Sequence, residues 1–230
     1  MPRHQVDARR LIDNHLEVGD PTGWFEPLYS LVGRHVGQLP WRPQGPHPYL
    51  VDWLDDPVVQ PPGRRAIVVG CGLGDDAVEL AGRGYAVTAI DIAPTAVRRA
   101  RKRARRARGP AVDWRVADLL SLDETLAGTF DLVVEVDTVP WLPGVVRDAA
   151  MHAVGSLAAP GGAVVVVTRL AASSSVAAST VGPPWPQAPS ELATYAAAGL
   201  ERVALEHPPV DGSGRFEARL TFQRPGPPAV

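Results

Sequence analysis

Residues 66–76 read Ala66-Ile67-Val68-Val69-Gly70-Cys71-Gly72-Leu73-Gly74-Asp75-Asp76. Ala66 to Val69 is the unbroken apolar run of a buried strand, the three glycines form a turn, and Asp75 to Arg83 continues as a helix. Fifteen residues beyond Asp76 a second strand, 85–90, ends on the acid Asp91. A strand, a glycine turn, a helix and a second strand tipped by a carboxylate make half of a doubly wound nucleotide-binding sheet. The glycines let the backbone approach a ligand closely, and a carboxylate about 20 residues further on can hold both hydroxyls of a ribose. The expected ligand contains an adenosine.

The two acids of the turn bear on which adenosine it is. A dinucleotide lays its pyrophosphate on a helix N-terminus, where backbone N–H groups favour negative charge. Asp75 and Asp76 occupy that position and repel it. Counted from Gly72, the pattern G-x-G-x-x-A survives with Ala77, which keeps NAD open as the second choice. S-adenosylmethionine (SAM) carries a sulfonium, an ammonium and no phosphate, so carboxylates suit it. Alternatively, both acids simply cap the helix and complement its dipole.

At 230 residues and 45% apolar composition, the chain fits one α/β domain with an N-terminal elaboration. The division expected is 1–60 for a helical, aromatic lid and 61–230 for the cofactor-binding domain. No run of 18 apolar residues and no secretory leader pattern is visible, which predicts a cytoplasmic protein with no membrane partner. The lone Cys71 excludes an internal disulfide, and the six histidines show no metal-ligand spacing, so no metal is expected. Along the chain, 1–20 reads as a polar helix, 20–48 as loop and 48–55 as a helix. Strands at 66–70, 85–90, 111–116, 130–136 and 161–169 then alternate with helices at 74–83, 94–108, 121–127 and 144–158, predicting a parallel sheet covered on both faces. A Ser/Ala/Pro-rich crossing (171–189), a helix near 188–198 and strands near 200–206 and 215–223 complete the pattern.

Residues 98–108 hold eight basic side chains in eleven positions. Nucleic-acid binding is one reading. However, Val97, Ala100, Ala104 and Ala107 recur at helical spacing as an apolar stripe, leaving the basic residues to the solvated faces. Setting those eight aside from the 23 basic residues leaves 15 against 25 acidic ones elsewhere, so no nucleic-acid partner is expected.

In these motifs the chain resembles the class I SAM-dependent methyltransferases over about residues 20–223. Val68 to Gly74 looks like the first motif of that superfamily, Ala89 to Val97 like the second, and Val116 to Leu120 like the third. Phe130 to Pro143 resembles the fourth, and Leu157 to Val166 the helix-to-strand passage after it. The resemblance implies a Rossmann-like doubly wound α/β sheet of seven strands, mostly parallel with an antiparallel last strand, under an N-terminal helical lid. It also implies that Asp118 meets the adenine amino group. Within the superfamily, Val69 to Asp91, Leu39-Pro40-Trp41-Arg42 and Gly182 to Trp185 are most similar to the thiopurine and thiol methyltransferase branch. Glu135 to Val139 departs from that branch's fourth motif.

The expected activity is therefore methyl transfer from SAM, leaving S-adenosylhomocysteine (SAH), to a small molecule, with a thiol or other soft nucleophile preferred. O- or N-methylation of a secondary metabolite is the alternative, and a non-catalytic SAM-fold binding module a third possibility. Expected cofactor contacts are Trp24, Trp41, Val69, Gly70, Cys71, Gly72, Asp91, Ile92, Asp118, Leu119 and Glu135. Loop tryptophans beside a sulfonium can make cation–π contacts or wall off water; Trp24 and Trp41 are assigned to the lid, Trp141 and Trp185 to the acceptor. Positioning alone can supply about 7–11 kcal/mol of the barrier, and a thiol needs little base. Asp137, the acid well placed after Glu135, is the candidate catalytic residue; its alternative role is a turn residue before Pro140.

Overall fold

The structure is a computed structural model that describes residues 8–32, 39–41, 45–56, 63–207 and 214–226. Its strands are β1 (Arg65–Val69), β2 (Ala86–Asp91), β3 (Asp113–Val116), β4 (Phe130–Val136), β5 (Ala158–Ala171), β6 (Glu201–Glu206) and β7 (Arg215–Gln223). They form one sheet in the order β3-β2-β1-β4-β5-β7-β6. β1 to β5 pair in parallel, whereas β7 runs antiparallel to both of its neighbours. This is the Rossmann-like sheet the sequence predicts, including its reversed last strand.

The helices are α1 (Ala8–Glu17), α2 (Phe25–Val32), α3 (Pro48–Leu54), α4 (Asp75–Gly82), α5 (Pro94–Arg106), α6 (Gly144–Ser156), α7 (Ser174–Ala178) and α8 (Ala193–Ala197). One sheet face packs against α3, α4 and α5 through Leu50, Leu80, Val97 and Ala100. The other packs against α6 and α8 through Met151, Val154 and Tyr195. Val164 to Val167 on β5 are wholly buried because the strand is covered on both sides. None of the helices described is long and apolar enough to cross a membrane.

Several expected elements change on inspection. Residues 20–48 hold the helix α2, whose Pro27 falls in the first turn, where the missing N–H costs no intrahelical bond. Residues 121–127 are two short 3-10 turns, Leu119–Ser121 and Glu124–Leu126, each begun by an aspartate that accepts a backbone N–H two residues on. Ala107 is exposed beyond the end of α5, so the buried stripe is Ala96, Val97, Ala100 and Ala104. Of the predicted 1–20 helix, residues 1–7 lie outside the described residues, as does Arg42 of the tryptophan segment.

α1 and α2 do not stand apart from the sheet. Ile12, Trp24, Leu28, Tyr29 and Val32 form a third apolar cluster with Leu73, Ala93, Ala96 and Trp141. Glu26 ties α2 to the start of α5 by accepting from Thr95 N (2.8 Å) and Thr95 Oγ1 (2.5 Å).

Candidate active site

The strand order reverses between β1 and β4, and open α/β sheets bind ligands at the carboxyl ends of strands flanking such a point. A cavity of about 540 Å³ lies there. Its floor is Val69 to Asp76, its sides Ile90 to Ile92 and Ala117 to Leu120, and its far end Val136 to Thr138 with Arg169 and Glu217. Phe25, Tyr29, Trp41 and the segment Gly45 to Pro48 cover it.

The glycine turn owes its shape to two close approaches. Gly70 has φ +61°, and a Cβ there would lie 2.1 Å from Thr138 Oγ1. Gly72 has φ +53°, and a Cβ would lie 2.9 Å from the Tyr29 hydroxyl, on the cavity side. Asp91 closes the turn by accepting from Gly72 N through Oδ2 and from Ala93 N through Oδ1, both at 2.8 Å. Each oxygen keeps one lone-pair site for a further donor. Burial pushes this carboxyl up from 3.8 to about 6 even though both N–H groups oppose the shift.

The helix N-terminus beside the turn is already filled. Gly74 is the α4 N-cap and offers no side-chain cap. Asp75 pairs with Arg103 (2.9 Å), and Asp76 accepts from His47 N (2.7 Å). Burial raises Asp76 to about 6. Neither acid caps the helix, and their carboxylates disfavour a phosphate there. A ligand with a ribose diol and cationic groups fits this donor and acceptor set; a pyrophosphate does not.

Of the expected contacts, Trp41, Val69, Gly70, Cys71, Gly72, Asp91, Ile92, Asp118, Leu119, Asp137 and Trp141 line the cavity. Trp24, Glu135 and Trp185 do not. Trp24 is fully buried behind the wall, stacked on Phe25 at 3.8 Å and 6.1 Å from the Trp141 ring. It donates to Pro21 O (3.2 Å), so it cannot leave water when a cofactor binds. Trp185 is held outside by its N–H to Pro140 O (2.7 Å). Glu135 is fully buried beneath the site, where Oε1 accepts from Thr138 N (2.6 Å) and Val139 N (3.1 Å). Burial pushes Glu135 up from 4.5 to about 8. It shapes the turn below the cavity.

Asp137 stands where that turn leaves β4. Its N–H extends the ladder to Val167 O (2.8 Å), and its φ of +51° then turns the chain out of the sheet, a conformation aspartate tolerates. Oδ2 faces Arg169 Nη2 at 3.5 Å, while Oδ1 is buried without a hydrogen-bond partner. Burial raises its pKa, with Arg169 opposing. Beside them, His47 Nε2 lies 3.4 Å from Glu217 Oε1. Sequence reasoning missed His47, Arg169 and Glu217, because three distant segments supply them and no local pattern marks any of the three.

Comparison with known proteins bears on the class. Residues 66–162 match the family model described as a methyltransferase domain, and the seven-stranded sheet has the Rossmann-like fold of such domains. Among curated proteins, the ubiquinone biosynthesis O-methyltransferase of Xanthomonas axonopodis pv. citri (strain 306) is 35% identical over 124 residues, covering 54% of this chain and 51% of that protein. The chain spans about half the length of the curated relatives it matches. Among solved structures, the cyclase SpnF superposes with a TM-score of 0.72 at 19% identity, over 90% of this chain and 97% of that one. Magnesium protoporphyrin IX methyltransferase from Synechocystis PCC 6803, solved with bound SAH, superposes with a TM-score of 0.61 at 19% identity, over 76% and 80%. These two likenesses establish the fold alone.

Proposed function

We propose that the protein transfers the methyl group of SAM to a hydroxyl of a small molecule, with Asp137 taking the hydroxyl proton. The observation that carries this reading is the Asp137 carboxylate, on the cavity wall beside Arg169. A thiol acceptor reaches its nucleophilic thiolate near neutral pH unaided, whereas an alcohol or phenol gains from a positioned base. Burial makes Asp137 more basic than a surface aspartate, which suits it to accept a proton. The likeness to proteins named O-methyltransferases points the same way.

When bound, SAM supplies an activated methyl on a sulfonium with a neutral thioether as leaving group. The chain's own residues bind and orient. Asp91 would take the ribose diol through its two free lone-pair sites, and Asp118 and Leu119 would border the adenine. Trp41, Tyr29 and Phe25 exclude water from the covered side, which strengthens each polar contact within. Trp141, edge-on to Trp41 at 5.2 Å, offers the acceptor a flat apolar wall.

Labelled SAM presented with phenols, alcohols, amines and thiols tests the acceptor atom. With a hydroxyl acceptor, Asp137→Asn should lower kcat by about 10²–10⁴-fold, the usual contribution of a general base. Turnover confined to thiols, with Asp137→Asn nearly as active as the parent, would return the assignment to sulfur and the thiol branch.

A further inference from the structure

His47 joins three parts of the molecule. Its backbone N–H donates to Asp76 Oδ1 on α4 (2.7 Å), and its Nδ1 accepts from Tyr49 N (3.2 Å) as the N-cap of α3. An accepting Nδ1 puts the proton of the neutral ring on Nε2, the atom that faces Glu217 Oε1 on β7. Two residues along β7, on the same side of the sheet, Arg219 donates to Tyr49 O (2.7 Å) and pairs with Glu206. The cavity wall at Gly45 to Pro48 is thus fastened to the far part of the sheet. Glu217 in turn lies opposite Arg169 in the β5–β7 register, and Arg169 reaches Asp137. Binding of the cofactor by the glycine turn and Asp91 uses none of these groups.

We infer that His47 and Glu217 are positioning residues that hold the segment 45–48 over the acceptor end of the cavity and, through Arg169, fix the carboxylate of Asp137. This rests on the acceptor assignment proposed above, but its consequences can be read without turnover. With Glu217 gone, Arg169 has one carboxylate fewer to share and turns fully to Asp137. With the His47–Glu217 contact gone, the segment keeps its helix cap only if residue 47 can still accept from Tyr49 N. His47→Asn preserves that cap, since asparagine is among the best N-cap residues, while being too short to reach Glu217.

The experiment compares the full-length parent with His47→Asn, Glu217→Ala, their double variant and Glu217→Gln. Hydrogen exchange at residues 45–54 should quicken about 10-fold in each of the first two, the effect of one lost charge-assisted bond. The double variant should be no faster than either single, because the two side chains act as a unit. Glu217→Gln, which still accepts from Nε2, should restore most of the protection. The Asp137 carboxyl, followed by NMR, is faced by Arg169, Glu217, His47 and, from below, Glu135; in Glu217→Ala its pKa should fall, because a neighbouring negative charge is removed. SAH binding by calorimetry should change less than about 3-fold in Glu217→Ala and Glu217→Gln, since Glu217 stands at the far end of the cavity from Asp91 and Asp118. Unchanged exchange in both singles, additive effects in the double, an unmoved Asp137 titration, or SAH affinity lost together with protection would each overturn the inference. Failure to methylate any hydroxyl would sink the proposed function while leaving these readouts intact.

Discussion

In the role proposed for it, Asp91 must stay ionised to bind hydroxyls, yet it is almost wholly removed from water, and burial lifts its pKa to about 6 against two backbone N–H groups. Cofactor affinity should therefore decline as pH falls through about 6, by up to about tenfold per unit, because protonation removes an acceptor site. Asp91→Asn should lower SAH affinity by about 10–100-fold at pH 8 and flatten that dependence, as calorimetry across pH 5–8 would report. Glu135 illustrates the opposite case. Its folded pKa, about 8, lies above its ordinary 4.5, so between those values the native state keeps a proton that the unfolded chain has released. Stability attributable to Glu135 is therefore full below about pH 4.5 and falls as pH rises towards 8. Glu135→Gln keeps an oxygen for Thr138 N and Val139 N without the ionisable proton. It should raise Tm at pH 8 by at least about 3 °C and change little at pH 4. That Glu135 is an acid was plain in the sequence; that it sits beneath the cavity was not, since strand alternation says which side a residue faces and not where the cavity ends.

Among the elements, β1, α4, β2, α5 and β4 were legible because their signals are local. Apolar runs, a glycine turn and the period of α5 each decide a conformation within about ten residues. α2 escaped notice because its eight residues mix aromatics with a proline, and its helical form rests on Leu28, Tyr29 and Val32 packing into a cluster built from distant segments. The turn that carries Trp141 is fixed in the same non-local way. Arg147 on α6 is buried and reaches Leu142 O through both Nε (3.4 Å) and Nη2 (3.3 Å), Trp185 O (3.4 Å) and Glu191 Oε1 (2.9 Å). Arg147→Met should cost about 3 kcal/mol in urea unfolding, since it removes one partner of a largely buried ion pair and frees two carbonyls. It should also loosen Trp141 and Trp185, to be seen as a red shift in tryptophan emission.

For the whole molecule, the sheet and its order follow from motif succession, while the covering of the site depends on contacts the sequence does not announce. The helices of the N-terminal segment share an apolar cluster with Leu73, Ala93, Ala96 and Trp141. Deleting residues 1–41 should leave the sheet's circular dichroism but abolish SAH binding. It should also lower stability by several kcal/mol, at about 1.5–3 kcal/mol for each large side chain uncovered, with dye binding to the bared cluster as the second readout. An undiminished Tm and full SAH affinity would show the segment to be dispensable. The bond from Arg219 to Tyr49 O spans 170 residues and has one more consequence. During translation the glycine turn and Asp91 leave the ribosome well before β7 exists, so this fastening of the segment 45–48 forms only after residue 219 has emerged. Under the function proposed above, a chain ending before β7 would lack the Glu217 and Arg219 contacts that fasten the segment 45–48.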